Sequence, residues 1–303
     1  MSLAPFLALS LLAGCDTVLM KPSGDVAAQE GRLIVLSTLL MLLIIIPVII
    51  LTIVFAWRYR QQNTSAVYEP DWHHSTSLEL VIWGAPLLII IALGLLTWIS
   101  THVLDPYRPL QRLDENRAVA PGTRPLVVEV VALDWKWLFI YPELGIASVN
   151  ELVMPVDVPV HYKITASSVM NSFFVPAMAG QIYAMAGMET TLHAVINRTG
   201  VFEGFSANYS GAGFSYMRFK LHGVAAAGFE RWVAAARSGG GMLDRAAYLQ
   251  LARPSLREPV RHYSAVAPDL YYAILNRCVA AGTVCMDKTA AADMHRAMGH
   301  AHE

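Results

Sequence analysis

The chain has 303 residues, 55% of them hydrophobic and only 15% charged, with a net charge of −1. A charged share so far below the usual quarter or so points to a membrane protein with room for two domains at most. The near-neutral balance gives no general reason to expect nucleic acid as a partner, and that class is excluded.

Residues 3–14 form a short apolar run closing on Leu12-Ala13-Gly14-Cys15. The small-residue approach to a cysteine matches the lipobox of bacterial lipoproteins, so residues 1–14 read as a signal peptide and Cys15 as the acylated mature amino terminus. The run lacks the Lys or Arg that normally opens a secretory signal. Residues 15–32 then form an amino-terminal periplasmic segment.

From Leu33 to Trp57 about 25 residues pass without a charge, enough to cross a hydrocarbon core of about 30 Å at 1.5 Å per helical residue. A second apolar run, counted as residues 79–101, closes near Trp98, while Trp57 and Tyr59 mark the far end of the first as interfacial aromatics do. Pro47 and Pro86 lie inside the spans, which lipid-embedded helices tolerate with a kink. The two spans predict a transmembrane hairpin with residues 58–78 as its loop. Arg58 and Arg60 flank one end and Lys21 and Arg32 the other, so charge does not orient it. The lipobox does, because acylation occurs on the outer face: the loop is then cytoplasmic and the carboxyl domain periplasmic.

His73 and His74 in that loop read as solvated residues. Glu79, followed by Leu80-Val81-Ile82-Trp83, is costly at the start of a membrane helix unless paired, protonated or water-connected. It reads either as a proton-handling group or as a helix-start carboxylate favoured by the macrodipole and snorkelling to the interface.

After a Pro-rich, charged linker over 102–125 the pattern changes to eight short β runs: LVVEVVAL, DWKWLFIY, SVNELVM, VPVHYKIT, VMNSFFV, ETTLHAVIN, VFEGFSA and SYMRFKLH. Punctuated by Gly, Pro and Asn, they predict a Greek-key β-sandwich or barrel over 126–225. Met178, Met185 and Met188 sit among Gly and Ala in a loop-like stretch and suit packing better than metal capture. Residues 229–251 show helical spacing broken by Gly239-Gly240-Gly241, which predicts two short helices within a segment 226–277. Cys278 and Cys285 either form a disulfide in an oxidising compartment or remain two thiols. The stretch 278–303 reads as a flexible tail, incidentally rich in metal-binding types at Met286, Met294, His295, Met298, His300 and His302.

The run Phe205 to Met217, FSANYSGAGFSYM, has the form of a strand-loop-strand metal loop without metal ligands. It resembles subunit II of the haem-copper oxidases, and within them the quinol-oxidising branch. In the cytochrome c-oxidising branch the matching positions bear two Cys, a loop His, a Met and a His from an earlier strand, which together hold a dinuclear copper centre. Here those positions are Ser206, Ser210, Phe214, Met217 and Asn171, with Asn208 between them. Hydroxyls and amides are hard donors that do not deprotonate near neutral pH, so the loop should hold no copper.

The resemblance runs from about Cys15 to about Asn276 and implies a copper-free cupredoxin fold for the β domain. It likens Trp135 and Trp137 to the aromatic patch that meets cytochrome c in copper-bearing relatives, with core packing and docking on a partner subunit the better account here. It likens Glu79 to the carboxylate at the mouth of the proton pathway into subunit I, and LARPSLREPVRHYSAVAPDLYYAILNR to the aromatic-rich closing segment. It implies no cofactor in this chain, haems and a copper in subunit I, further subunits III and IV, membrane lipid, and ubiquinol as substrate of the complex. Two rivals stand beside it: a lipid-anchored copper carrier using the tail, and a cytochrome c oxidase subunit, which Ser206, Ser210, Phe214 and Asn171 disfavour.

Overall fold

A computed structural model describes residues 17–67 and 69–292, in two units: residues 30–105, and the remainder. Helix α1 runs Asp25–Arg58 and α2 runs Thr76–Val103, each long and apolar enough to cross a membrane. Both begin earlier than the apolar runs indicate. Asp25 starts α1 because its carboxylate suits a helix amino end and accepts from Gln29 Nε2 at 2.8 Å and Arg112 Nε at 2.9 Å. Pro47 and Pro86 lie within continuous helices. No residue of α2 is buried, and Leu80 and Trp83 are about three-quarters exposed. Apolar surface of this extent is stable only against lipid or a partner.

In the other unit the strands follow in chain order: β1 Leu126–Leu133, β2 Lys136–Tyr141, β3 Ile146–Val149, β4 Glu151–Pro155, β5 Val160–Ala166, β6 Asn171–Val175, β7 Ala179–Ala184, β8 Thr190–Ala194, β9 Gly200–Ser206 and β10 Arg218–Val224. The carboxyl segment adds α3 Ala226–Ser238, β11 Met242–Leu243, α4 Arg245–Leu251, β12 Arg261–Tyr263, β13 Ala265–Val266 and α5 Leu270–Leu275. One sheet is ordered β12-β3-β2-β1-β5-β8, a second β4-β10-β9-β6-β7, and β11 pairs with β13 in a third of two strands. Parallel pairs β1·β5 and β4·β10 sit among antiparallel neighbours.

Ten strands thus stand where the sequence predicts eight. SVNELVM divides at Asn150, whose φ of 57° is a left-handed value that Asn tolerates, and β3 and β4 join different sheets. The other addition is β7, in the stretch read as a loop: its backbone pairs with β6 across a bulge near Phe173 and Val175. Met178, at its start, is buried and accepts from the Tyr162 hydroxyl.

Between the sheets Trp137, Phe139, Phe173 and Phe219 form the aromatic core, with Phe173 and Phe219 stacked 5.5 Å apart at 8°. Phe219 needs Gly204 opposite it, since a Cβ there would stand 2.1 Å from the ring. The amino-terminal strap is stitched to the same unit: Ser23 and Gly24 N–H both donate to Ala177 O, and Asn197 N–H donates to Ser23 O at 2.6 Å.

The carboxyl segment builds a second core, setting Leu243, Tyr248, Leu251, Leu270 and Ile274 against Val131, Leu138 and Ile140 of the sheet. β12 extends that sheet by pairing with β3. Half-buried Glu151 fastens the joint, its Oε2 accepting from Trp232 Nε1 at 3.0 Å and lying 2.6 Å from His262 Nε2, while His222 Nε2 stands 3.6 Å from Oε1. The flexible tail assigned from residue 278 is corrected at its start. Cys278 is buried in this second core and bonded to Cys285, with 4.8 Å between Cα atoms.

Candidate functional site

The loop from Phe205 to Met217 is closed by the antiparallel pair Arg218↔Phe205 and by Ser206 N–H donating to Met217 O at 3.1 Å. Strand β6 pairs with β9 through Phe173↔Ser206, which brings Asn171 to Ser206. Asn171, Ser206 and Met217 are all buried. The structure therefore assembles residues 35 to 46 positions apart that the sequence singled out.

Their polar groups are spent on one another. Ser206 Oγ lies 3.2 Å from Asn171 Oδ1 and 3.1 Å from Asn208 O, its one proton shared between these acceptors. The Asn171 amide donates to Val169 O at 3.0 Å and the Asn208 amide to Met170 O at 3.2 Å. Phe214 lies in the 3-10 turn Phe214–Tyr216 with its ring 5.6 Å from Tyr209. The Ser210 hydroxyl is buried without a partner.

Trp135 braces the loop from the other sheet. It turns the β1–β2 connection at φ 65° and donates through Nε1 to Ser210 O at 3.0 Å. Its ring occupies the space in front of Gly213, where a Cβ would come within 2.2 Å. Trp137 instead is wholly buried in the aromatic core. The two tryptophans of DWKW thus have different duties, one holding the loop and one filling the sandwich.

Two hydroxyls, two amides, a phenyl ring and one thioether do not fit copper, whose electron-transfer sites require thiolate and imidazole. Among the described residues no group of three or more His, Cys, Asp or Glu is arranged to hold a metal ion.

Glu79 stands in the first turn of α2, its N–H donating to Ser75 O at 2.9 Å. Its Oε1 lies 2.8 Å from His74 Nδ1. His74 is exposed, in keeping with a solvated loop residue, and it also partners the carboxylate. An imidazole just ahead of a helix whose first turn holds a carboxylate is the signal that could have shown this. His73 turns away, with Nδ1 2.6 Å from Asp71 O. Cys15, Met294, His295, Met298, His300 and His302 lie outside the described residues, while Met286 packs its thioether against Gly187.

Residues 142–224 match the family described as cytochrome c oxidase subunit II, periplasmic domain, and residues 237–282 match the COX aromatic rich motif. Over 273 residues the chain is 51% identical to cytochrome bo(3) ubiquinol oxidase subunit 2 of Pseudomonas putida, covering 90% of this chain and 84% of that protein. It is 50% identical to the protein of the same name from Pseudomonas aeruginosa, over 91% of this chain and 80% of that one. The ubiquinol oxidase subunit 2 of Acetobacter aceti is 48% identical over 88% of this chain and 84% of its own length.

Proposed function

The chain belongs to the ubiquinol oxidase subunit 2 family, and from that premise we propose how its own residues serve the oxidase. It is a membrane-anchored subunit of an oxidoreductase complex that takes electrons from quinol and reduces oxygen to water. Its cupredoxin-like domain works without copper, as a rigid body for assembly. The observation that carries this reading is the loop itself, where Ser206, Ser210, Phe214 and Asn171 occupy the ligand positions, and Ser206 and Asn171 use their polar groups on each other and on backbone carbonyls.

Glu79 serves as the entry group of a proton pathway leading into subunit I. A carboxyl can take a proton from water and pass it inward, and His74 beside it can hold its orientation. The haems and the oxygen-binding copper belong to subunit I, and subunits I, III and IV cover the exposed apolar sides of α1 and α2. The chain sits in the bacterial inner membrane with its amino end and β domain periplasmic, and Cys15 carries acyl chains. The support for this orientation is the lipobox together with the likeness to the periplasmic domain family.

The relatives favour this reading over a copper carrier or a cytochrome c oxidase subunit. The test is to purify the complex through a tag on this chain, record its haem spectrum and compare donors. Turnover with ubiquinol and none with reduced cytochrome c is expected, and the reverse preference overturns the reading. Intact mass of the same preparation checks Cys15: a retained Met1 or an unmodified amino terminus rejects acylation.

A further inference from the structure

Away from the loop, a cavity of about 420 Å³ opens where the carboxyl segment folds back over the start of β2. At its floor is Lys136, a charged side chain only 1% exposed. Burying an ammonium is costly unless its protons are used, and Lys136 Nζ donates two of them, to Leu251 O at 2.9 Å and Arg253 O at 2.7 Å. The third has no protein acceptor among the described residues.

Arg253 and Arg261 also line the cavity. The Arg253 guanidinium has no hydrogen-bond or ion-pair partner among the described residues, and its side chain is exposed. Arg261 Nη2 meets Glu258 Oε1 at 2.6 Å, and the other Glu258 oxygen accepts from Ser255 Oγ at 2.7 Å. Glu258 is therefore already committed, and the lining holds three cations and one carboxylate. The apolar wall of the cavity comes from Met242, Leu251, Pro254 and Tyr263.

We propose that this cavity is a binding site for a phosphate group, taken as the dianion that balances the excess of positive charge. Ammonium and guanidinium donors lining one cavity suit phosphate oxygens. The volume exceeds what bare phosphate fills and falls within the range of small-ligand sites, so the apolar wall is left for an organic substituent. A free phosphate ester and a lipid headgroup share this chemistry.

The full-length chain, purified in detergent, is titrated by equilibrium dialysis with inorganic phosphate, glycerol phosphate and dihexanoyl phosphatidic acid. Saturable binding is expected. Arg253→Gln should weaken it by about tenfold, as the loss of one charge-assisted hydrogen bond implies, whereas Arg231→Gln, on the exposed side of α3, should leave it unchanged. Arg253 has no protein partner to lose, so this variant does not threaten folding. Equal affinity for all three probes assigns recognition to the phosphate group alone. Tighter binding of the phosphatidic acid assigns the apolar wall to an acyl chain, and tighter binding of glycerol phosphate assigns the site to a soluble ester. Failure of all three to saturate, or affinity unchanged in Arg253→Gln, overturns the proposal.

Discussion

Replacing Glu79 by Gln separates a proton-carrying role from a structural one, because the structural cost can be bounded. The Glu79–His74 pair is open to solvent on both sides, with side chains 52% and 60% exposed, and such pairs are worth at most about 1 kcal/mol. A carboxylate in the first turn of a helix gains about 0.3–1 kcal/mol more from the macrodipole. Gln keeps the length of the side chain and can still accept a hydrogen bond, so its whole structural penalty is about 1–2 kcal/mol. A helix as apolar as α2 is held in the bilayer far more firmly than that. The complex should assemble with its haem content unchanged, yet quinol turnover should fall by about tenfold or more, equivalent to raising the barrier by about 1.4 kcal/mol. Asp retains the titrating group with a shorter reach and should fall between wild type and Gln, with Ala no better than Gln. His74→Ala removes the partner and leaves the carrier, so it should cost less than Glu79→Gln. Full turnover in a correctly assembled Glu79→Gln complex would refute the proton-entry role.

Three further outcomes are expected. Ser206→Cys, Ser210→Cys, Phe214→His and Asn171→His together should give a purple copper centre, because the 3.2 Å approach of Ser206 to Asn171 already brings two of these positions into contact; a colourless, metal-free product counts against it. Burial, with Lys163 adding to it, holds His161 below the usual imidazole value, and burial and then His161 do the same to His193, stacked 4.5 Å away. Their stabilisation is present above pH 6.5 and is lost as pH falls through their folded values. Glu129, pushed up to about 7 by burial against the pull of Lys163, acts oppositely: its contribution is present below pH 4.5 and is lost as pH rises through 7. Glu129→Gln should therefore destabilise more steeply on acidification than wild type, and His161→Gln with His193→Gln less steeply, in urea midpoints followed from pH 7.5 to 5; parallel slopes in all three proteins exclude this. Opening the Cys278–Cys285 bridge, which spans a sequence separation of 7, with paired Ser substitutions should lower stability by about 2.5 kcal/mol on the loop-entropy account, read as a drop in the unfolding midpoint.

The sandwich was legible wherever β-branched and aromatic residues alternate, as in LVVEVVAL and VPVHYKIT. It was hidden where strand formation rests on backbone pairing alone: β7 is built from Ala, Gly, Gln, Ile, Tyr and Ala, too little side-chain signal to outweigh its glycine. The break between β3 and β4 was hidden because a left-handed Asn150 looks in sequence like any polar residue facing outward. At the loop, the replaced ligand positions could be read directly, since donor chemistry is a property of residue type. The brace from Trp135 to Ser210, 75 residues apart, could not, because it depends on how the two sheets face each other. The pairing of His74 with Glu79 was missed for a different reason: the helix begins at Thr76, earlier than its apolar stretch suggests, and so draws the loop histidine to its first turn.

The mutual satisfaction of Asn171, Ser206 and Asn208 bears on how such a chain matures. A loop ordered by a metal draws part of its folding free energy from the ion, so its completion waits on the supply of that ion and on keeping thiols reduced until it arrives. Here hydrogen bonds worth about 1 kcal/mol each, together with the tryptophan brace, close the loop from the chain's own atoms. Completion of this loop then waits on no ion, and the yield of the folded domain should be indifferent to copper starvation.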